Sequence, residues 1–125
     1  MSDKLDVVGI GNAMVDAIIP SNQSEIEKHE INRDSMNLID ENLKNNLHES
    51  YSIREMAGGG SLGNSMFGIT SFGGNGSFIG KIKNDEIGVY LQKDMIREGL
   101  KFPLGFTSPD ISTGCCTIFV EEDGT

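Results

Sequence analysis

A chain of 125 residues is long enough for one compact domain with a buried core. A net charge of -9, a pI of about 4.5 and the lack of any Lys/Arg cluster argue against nucleic acid and against anionic membrane surfaces as partners. The only two cysteines, Cys115 and Cys116, are adjacent and cannot close a useful disulfide loop, so a reducing cytoplasm is expected.

Residues 5–11 are apolar and β-prone and end in glycine, which predicts a buried first strand, too short to span a membrane. Residues 15–19, closed by Pro20, predict a second strand. A short helix is expected near 25–30 and a third short strand at 36–39. Asp40 is a good N-cap for a helix that carries Leu43 and Leu47 on one face. After residues 51–56 comes Gly58-Gly59-Gly60, and Ser61 is expected to cap the next helix. Leu62, Met66 and Ile69 give that helix one apolar stripe, and Gly73-Gly74 stops it.

Residues 76–82 predict a core strand. Asp85 and Glu86 suit the first turn of a further helix, and Gly99 stands where a C-terminal glycine belongs. A last strand is expected over 113–121. Strand–helix alternation predicts an α/β fold with a mainly parallel sheet. The strands at 15–19, 36–39 and 113–121 break that rhythm and predict a small separate sheet.

Two nucleotide motifs are excluded. Gly9-Ile10-Gly11-Asn12-Ala13-Met14 begins like a dinucleotide fingerprint, but its third glycine is Met14 and a strand follows. Gly80-Lys81 lacks the upstream glycine of a P-loop and is followed by Ile82. Asp16 is an acid set among apolar strand residues: either a solvated edge residue or a carboxylate that accepts hydrogen bonds from two ligand hydroxyls. The triglycine before a helix lets a ligand approach the backbone, and Asn64 in the first turn offers both donor and acceptor. In a chain with sixteen glycines, such a cluster is weak evidence by itself.

The order of the motifs says more. Gly59-Gly60-Ser61-Leu62-Gly63-Asn64-Ser65, then Gly73, then Phe78-Ile79-Gly80-Lys81-Ile82-Lys83-Asn84-Asp85-Glu86-Ile87-Gly88 resembles the first signature of the PfkB/ribokinase family. Gly11-Asn12-Ala13-Met14-Val15-Asp16 and Thr113-Gly114-Cys115-Cys116 resemble its adenosine-kinase branch. The resemblance covers essentially the whole chain. It implies a ribokinase-like, Rossmann-type parallel sheet with a small β-sheet lid, of which residues 1–125 would be the N-terminal part. It also implies transfer of the ATP γ-phosphate, with Mg2+, to a hydroxymethyl group of a nucleoside or sugar.

Carried over by position, Asp16 resembles the carboxylate that grips sugar hydroxyls. Gly59, Gly60 and Asn64 resemble the turn and amide on the same sugar, Asn12 and Met14 resemble neighbours that line the pocket, and Cys116 resembles a residue near where the lid strand meets the ligand. No residue is expected to bind a metal. Ser61 and Met14 stand where ribokinases usually carry Lys and Asn; Met14 suits a flat nucleobase and favours a nucleoside over free ribose. The family's second signature, a Gly-Ala-Gly-Asp turn with the catalytic base and anion hole, has no counterpart in this sequence, so the 125 residues are expected to be inactive alone. A non-catalytic nucleoside- or sugar-binding module, or an assembly subunit forming a homodimer through lid strands, is the alternative.

Overall fold

The structure, a computed structural model, describes residues 4–125. The chain forms two compact units, one of residues 4–16 and 57–116, the other of residues 17–56 and 117–125.

In the first unit, β1 (Val7–Ile10) pairs in parallel with β4 (Gly76–Ile79), with Val7 opposite Gly76 and Ile10 opposite Ile79. The helix α3 (Ser61–Ser71) packs on this pair through Met66, which is 1% exposed. Gly9 and Gly76 make room for it: a Cβ at Gly9 would lie 2.9 Å from Met66 Sδ, and one at Gly76 3.0 Å from Met66 Cε. Phe78, Ile82, Leu91 and Met95 are further fully buried core residues, and Phe78 meets Phe102 at 6.1 Å between ring centroids. Leu91 and Met95 come from α4 (Glu86–Arg97), capped by the Asp85 side chain on Gly88 N–H. Gly99 adopts φ 88° just past that helix, the conformation its position predicts.

β1 differs from the buried strand that its composition predicts: Val8 and Ile10 are exposed. A parallel strand is buried when both faces and both edges are covered. Among the described residues β1 has one neighbour, β4.

A second sheet has the order β3–β2–β5, from β3 (Glu55–Gly59), β2 (Met14–Pro20) and β5 (Gly114–Val120). Gly114 lies against Ala13 and Met14 at one end, and Ser21 N–H donates to Val120 C=O at the other, so β2 and β5 run parallel. Arg54 N–H donates to Ile18 C=O, while Gly60 lies near Asn12 and Met14, so β3 runs antiparallel to β2. The strands expected at 15–19 and 113–121 are thus present.

The one expected at 36–39 is not, and β3 is the third strand instead. The cause is local. Asn37 Nδ2 donates to the carbonyls of Asn32 and Ser35, and Ser35 Oγ donates to Asn32 C=O, so this segment is held by its own polar side chains rather than by a ladder. Met36 and Leu38 are left exposed.

The second unit holds α1 (Gln23–Lys28) and α2 (Glu41–Ser50). Asn22 and Glu25 form a reciprocal capping box on α1, and Asp40 caps α2 as expected. Ala17, Ile19, Ile26 and Leu47 are its buried apolar residues. Tyr51 links His29, through a 2.8 Å hydrogen bond, to Phe119 by an edge-on ring contact. Among the described residues, no helix is long and apolar enough to cross a membrane.

Candidate functional site

The structure places all seven residues singled out from the sequence in the first unit. Alternation along β2 buries Val15 and leaves Met14 and Asp16 half-buried on the other face. The Asp16 carboxylate lies flat against Gly59. A Cβ on Gly59 would sit 2.5 Å from Asp16 Oδ1 and 2.6 Å from both Cγ and Oδ2. Gly59 therefore has a steric reason to be glycine, and β2, which carries Asp16, is the middle strand of its sheet rather than an edge.

Gly60 follows with φ 78°, a conformation that side chains disfavour, and forms the N-cap of α3. A Cβ on Gly60 would stand in ordinary contact, 3.6 Å from Met14 Cβ and 3.7 Å from the Asn12 carbonyl oxygen. Met14 Cγ lies 3.3 Å from where a Cβ on Gly114 would be, so its thioether chain runs between two glycines. Asn12 and Asn64 are exposed. Asn64 N–H closes the first helical bond, to Gly60 C=O at 2.9 Å, which puts the Asn64 side chain in the first turn.

Ser61, expected as the N-cap, is instead the first helical residue, and no side chain caps α3. Glycine holds that position because the turn needs positive φ there. The amides of the first turn, which have no partners within the helix, are left without a side-chain acceptor.

Cys116 lies on β5 beside Asp16. Burial, and then the negative charge of Asp16, push its thiol above the ordinary value. Asp16, Gly59, Gly60 and Met14 are thus assembled directly, Cys116 neighbours Asp16, and Asn12 and Asn64 border the group. The arrangement offers a carboxylate, uncapped amides and an apolar thioether patch, a combination suited to a neutral polyol that bears a flat apolar group. None of the seven is Lys or Arg, and among the described residues no cluster of three or more His, Cys, Asp or Glu could hold a metal ion. The site does not fit a triphosphate or its Mg2+.

Two supporting clusters were not singled out from the sequence. Thr113, buried at the root of β5, has its N–H 3.0 Å from Asp85 Oδ2 and its hydroxyl 2.8 Å from Asp85 Oδ1, and it accepts from Lys83 N–H at 3.0 Å. A Cβ on Gly88 would collide with Thr113 Oγ1. The Asp85-x-x-Gly88 motif therefore fastens the strand that carries Cys116. Asp94 is the second: a buried carboxylate on α4 that accepts from Gly58 N–H at 3.3 Å and pairs with Arg97. Its signal was an acid amid the apolar stripe Ile87, Leu91 and Met95.

No family model matches the chain, and no curated protein does. Solved structures do. The chain is similar to an adenosine kinase from Sinorhizobium meliloti, with 34% identity and TM-score 0.79 over 96% of this chain and 37% of that one. It is similar to a "probable sugar kinase" from Rhizobium etli, with 31% identity and TM-score 0.75 over 95% and 36%. An adenosine kinase from Schistosoma mansoni shares the fold at 21% identity and TM-score 0.75, over 96% and 37%. The chain thus spans little more than a third of the length of these relatives. It has part of a ribokinase-like α/β fold, with parallel and mixed sheets.

Proposed function

We propose that these 125 residues are the substrate-binding part of a PfkB-type kinase, one that phosphorylates a hydroxymethyl group of a nucleoside or sugar with ATP and Mg2+. The observation that carries this reading is the Asp16 carboxylate pressed on Gly59, at the mouth of a helix whose first amides no side chain caps. A carboxylate can accept from two vicinal hydroxyls at once, with charge-assisted strength. The amides and Asn64 supply further polar contacts.

Met14, set between Gly60 and Gly114, offers an apolar surface to a flat base. That favours a nucleoside, in keeping with the name of the 34% identical relative. Among the seven residues there is no basic group for phosphate. In this reading they bind and orient the acceptor, and the phosphate-handling groups of the complete kinase lie elsewhere.

Calorimetric titration with adenosine tests it. The expected result is one site per chain, weakened at least about 100-fold by Asp16→Ala, which removes both hydrogen bonds to a charged acceptor. Absence of binding to adenosine, inosine and ribose alike, or equal affinity in Asp16→Ala, refutes the reading.

A further inference from the structure

Gly58 and Gly59 are consecutive strand residues, so their missing side chains point to opposite faces of β3. Each faces a carboxylate. Gly59 meets Asp16, and a Cβ on Gly58 would lie 3.0 Å from Asp94 Oδ2 and 2.7 Å from the Phe67 ring. Asp94 is 7% exposed and accepts the Gly58 N–H, while Arg97 holds its other oxygen. A buried carboxylate is costly unless its oxygens are satisfied, and a leucine would fill this place in the α4 stripe more cheaply. What leucine lacks is an acceptor for the backbone of the glycine turn.

We propose that Asp94 is a positioning residue for the ligand site: its Oδ2 fixes the Gly58 amide and so sets the height at which Gly59 meets Asp16. This rests on the proposed function for the identity of the ligand, but the geometry it asserts does not depend on ligand.

The test compares Asp94→Asn, Asp94→Leu and Arg97→Gln in the 125-residue chain, by amide hydrogen exchange at Gly58 and by adenosine titration. Asn keeps an acceptor, so Asp94→Asn is expected to hold Gly58 protection and affinity within about threefold of the parent. Asp94→Leu is expected to speed Gly58 exchange and weaken adenosine by at least about tenfold each. Arg97→Gln leaves Oδ2 in place and should preserve both. The proposal is overturned if Asp94→Leu leaves Gly58 exchange unchanged, or if Asp94→Asn does the same damage as Leu. Should Asp94→Leu fail to fold, Arg97→Gln decides: loss of Gly58 protection there assigns the role to the ion pair and overturns the proposal. A parent chain that binds no adenosine sinks the proposed function, while Gly58 exchange still decides the role of Asp94.

Discussion

Replacing Gly59 by Ala perturbs the site at its tightest point. The new Cβ would stand 2.5 Å from Asp16 Oδ1, so the carboxylate must retreat by about 0.9 Å to reach an ordinary contact of 3.4 Å. Asp16 is half-buried and can swing outward, which limits the damage to the fold to the low end of the range for overpacking, about 1 kcal/mol. Ligand binding cannot escape in the same way. Two hydrogen bonds to a charged acceptor contribute about 1.5–3 kcal/mol each, and a shift of this size breaks both. Affinity for adenosine should fall by at least about 100-fold while the melting temperature drops only a few degrees. Gly68→Ala is the control: nothing lies within 4 Å of its added Cβ, and in the interior of α3 it should stabilise by about 0.5–1 kcal/mol without touching binding. Titration calorimetry and thermal unfolding of both variants check this. A Gly59→Ala chain that binds adenosine within threefold of the parent refutes the assignment of Asp16 and Gly59 to the ligand.

Thr113→Val removes a buried hydroxyl that bonds Asp85 and Lys83 while keeping its shape. It should cost about 1–3 kcal/mol, read from the urea midpoint, and an unchanged midpoint would mean that this cluster does not fasten β5. Cys116 gives a pH prediction. Its thiol is raised above the ordinary value by burial and then by Asp16, so the folded state favours the protonated form. The contribution to stability is complete below the unfolded value and fades as pH rises through the folded one. Asp16→Asn, made with Cys115→Ser, removes the charge and should speed Cys116 alkylation several-fold at pH 8. An identical pH–rate profile would separate the two residues.

Most of the element order was legible because it rests on local signals. Asp40 and Asp85 cap the helices they precede, and Gly99 takes the left-handed conformation that its place after α4 requires. What escaped depends on distant or competing partners. The strand expected at 36–39 has suitable residues, but Asn37 satisfies the backbone locally before any ladder can form. Ser61 has the chemistry of a cap, yet the turn's demand for positive φ puts Gly60 there. The bond from Asp85 to Thr113 joins residues 28 apart, and that from Gly58 to Asp94 residues 36 apart; neither spacing leaves a periodic trace in a sequence.

The triglycine shows how structure turns a weak signal into a strong one. Read as composition, three glycines before a helix mean a flexible turn. In the fold each answers a different demand. Gly58 is small because the Phe67 ring and the Asp94 carboxylate close on it from one face, and Gly59 because the Asp16 carboxylate closes from the other. A Cβ on Gly60 would meet its neighbours only at ordinary contact distance, so Gly60 is glycine for its φ of 78°. A turn needed only for flexibility would tolerate alanine at any one of the three with similar, small losses. A turn clamped from two faces and then reversed in handedness would not, and its loss at Gly59 would fall on binding rather than on folding. The three glycines therefore meet three separate demands, two of them set by carboxylates that sequence separation hides from each other.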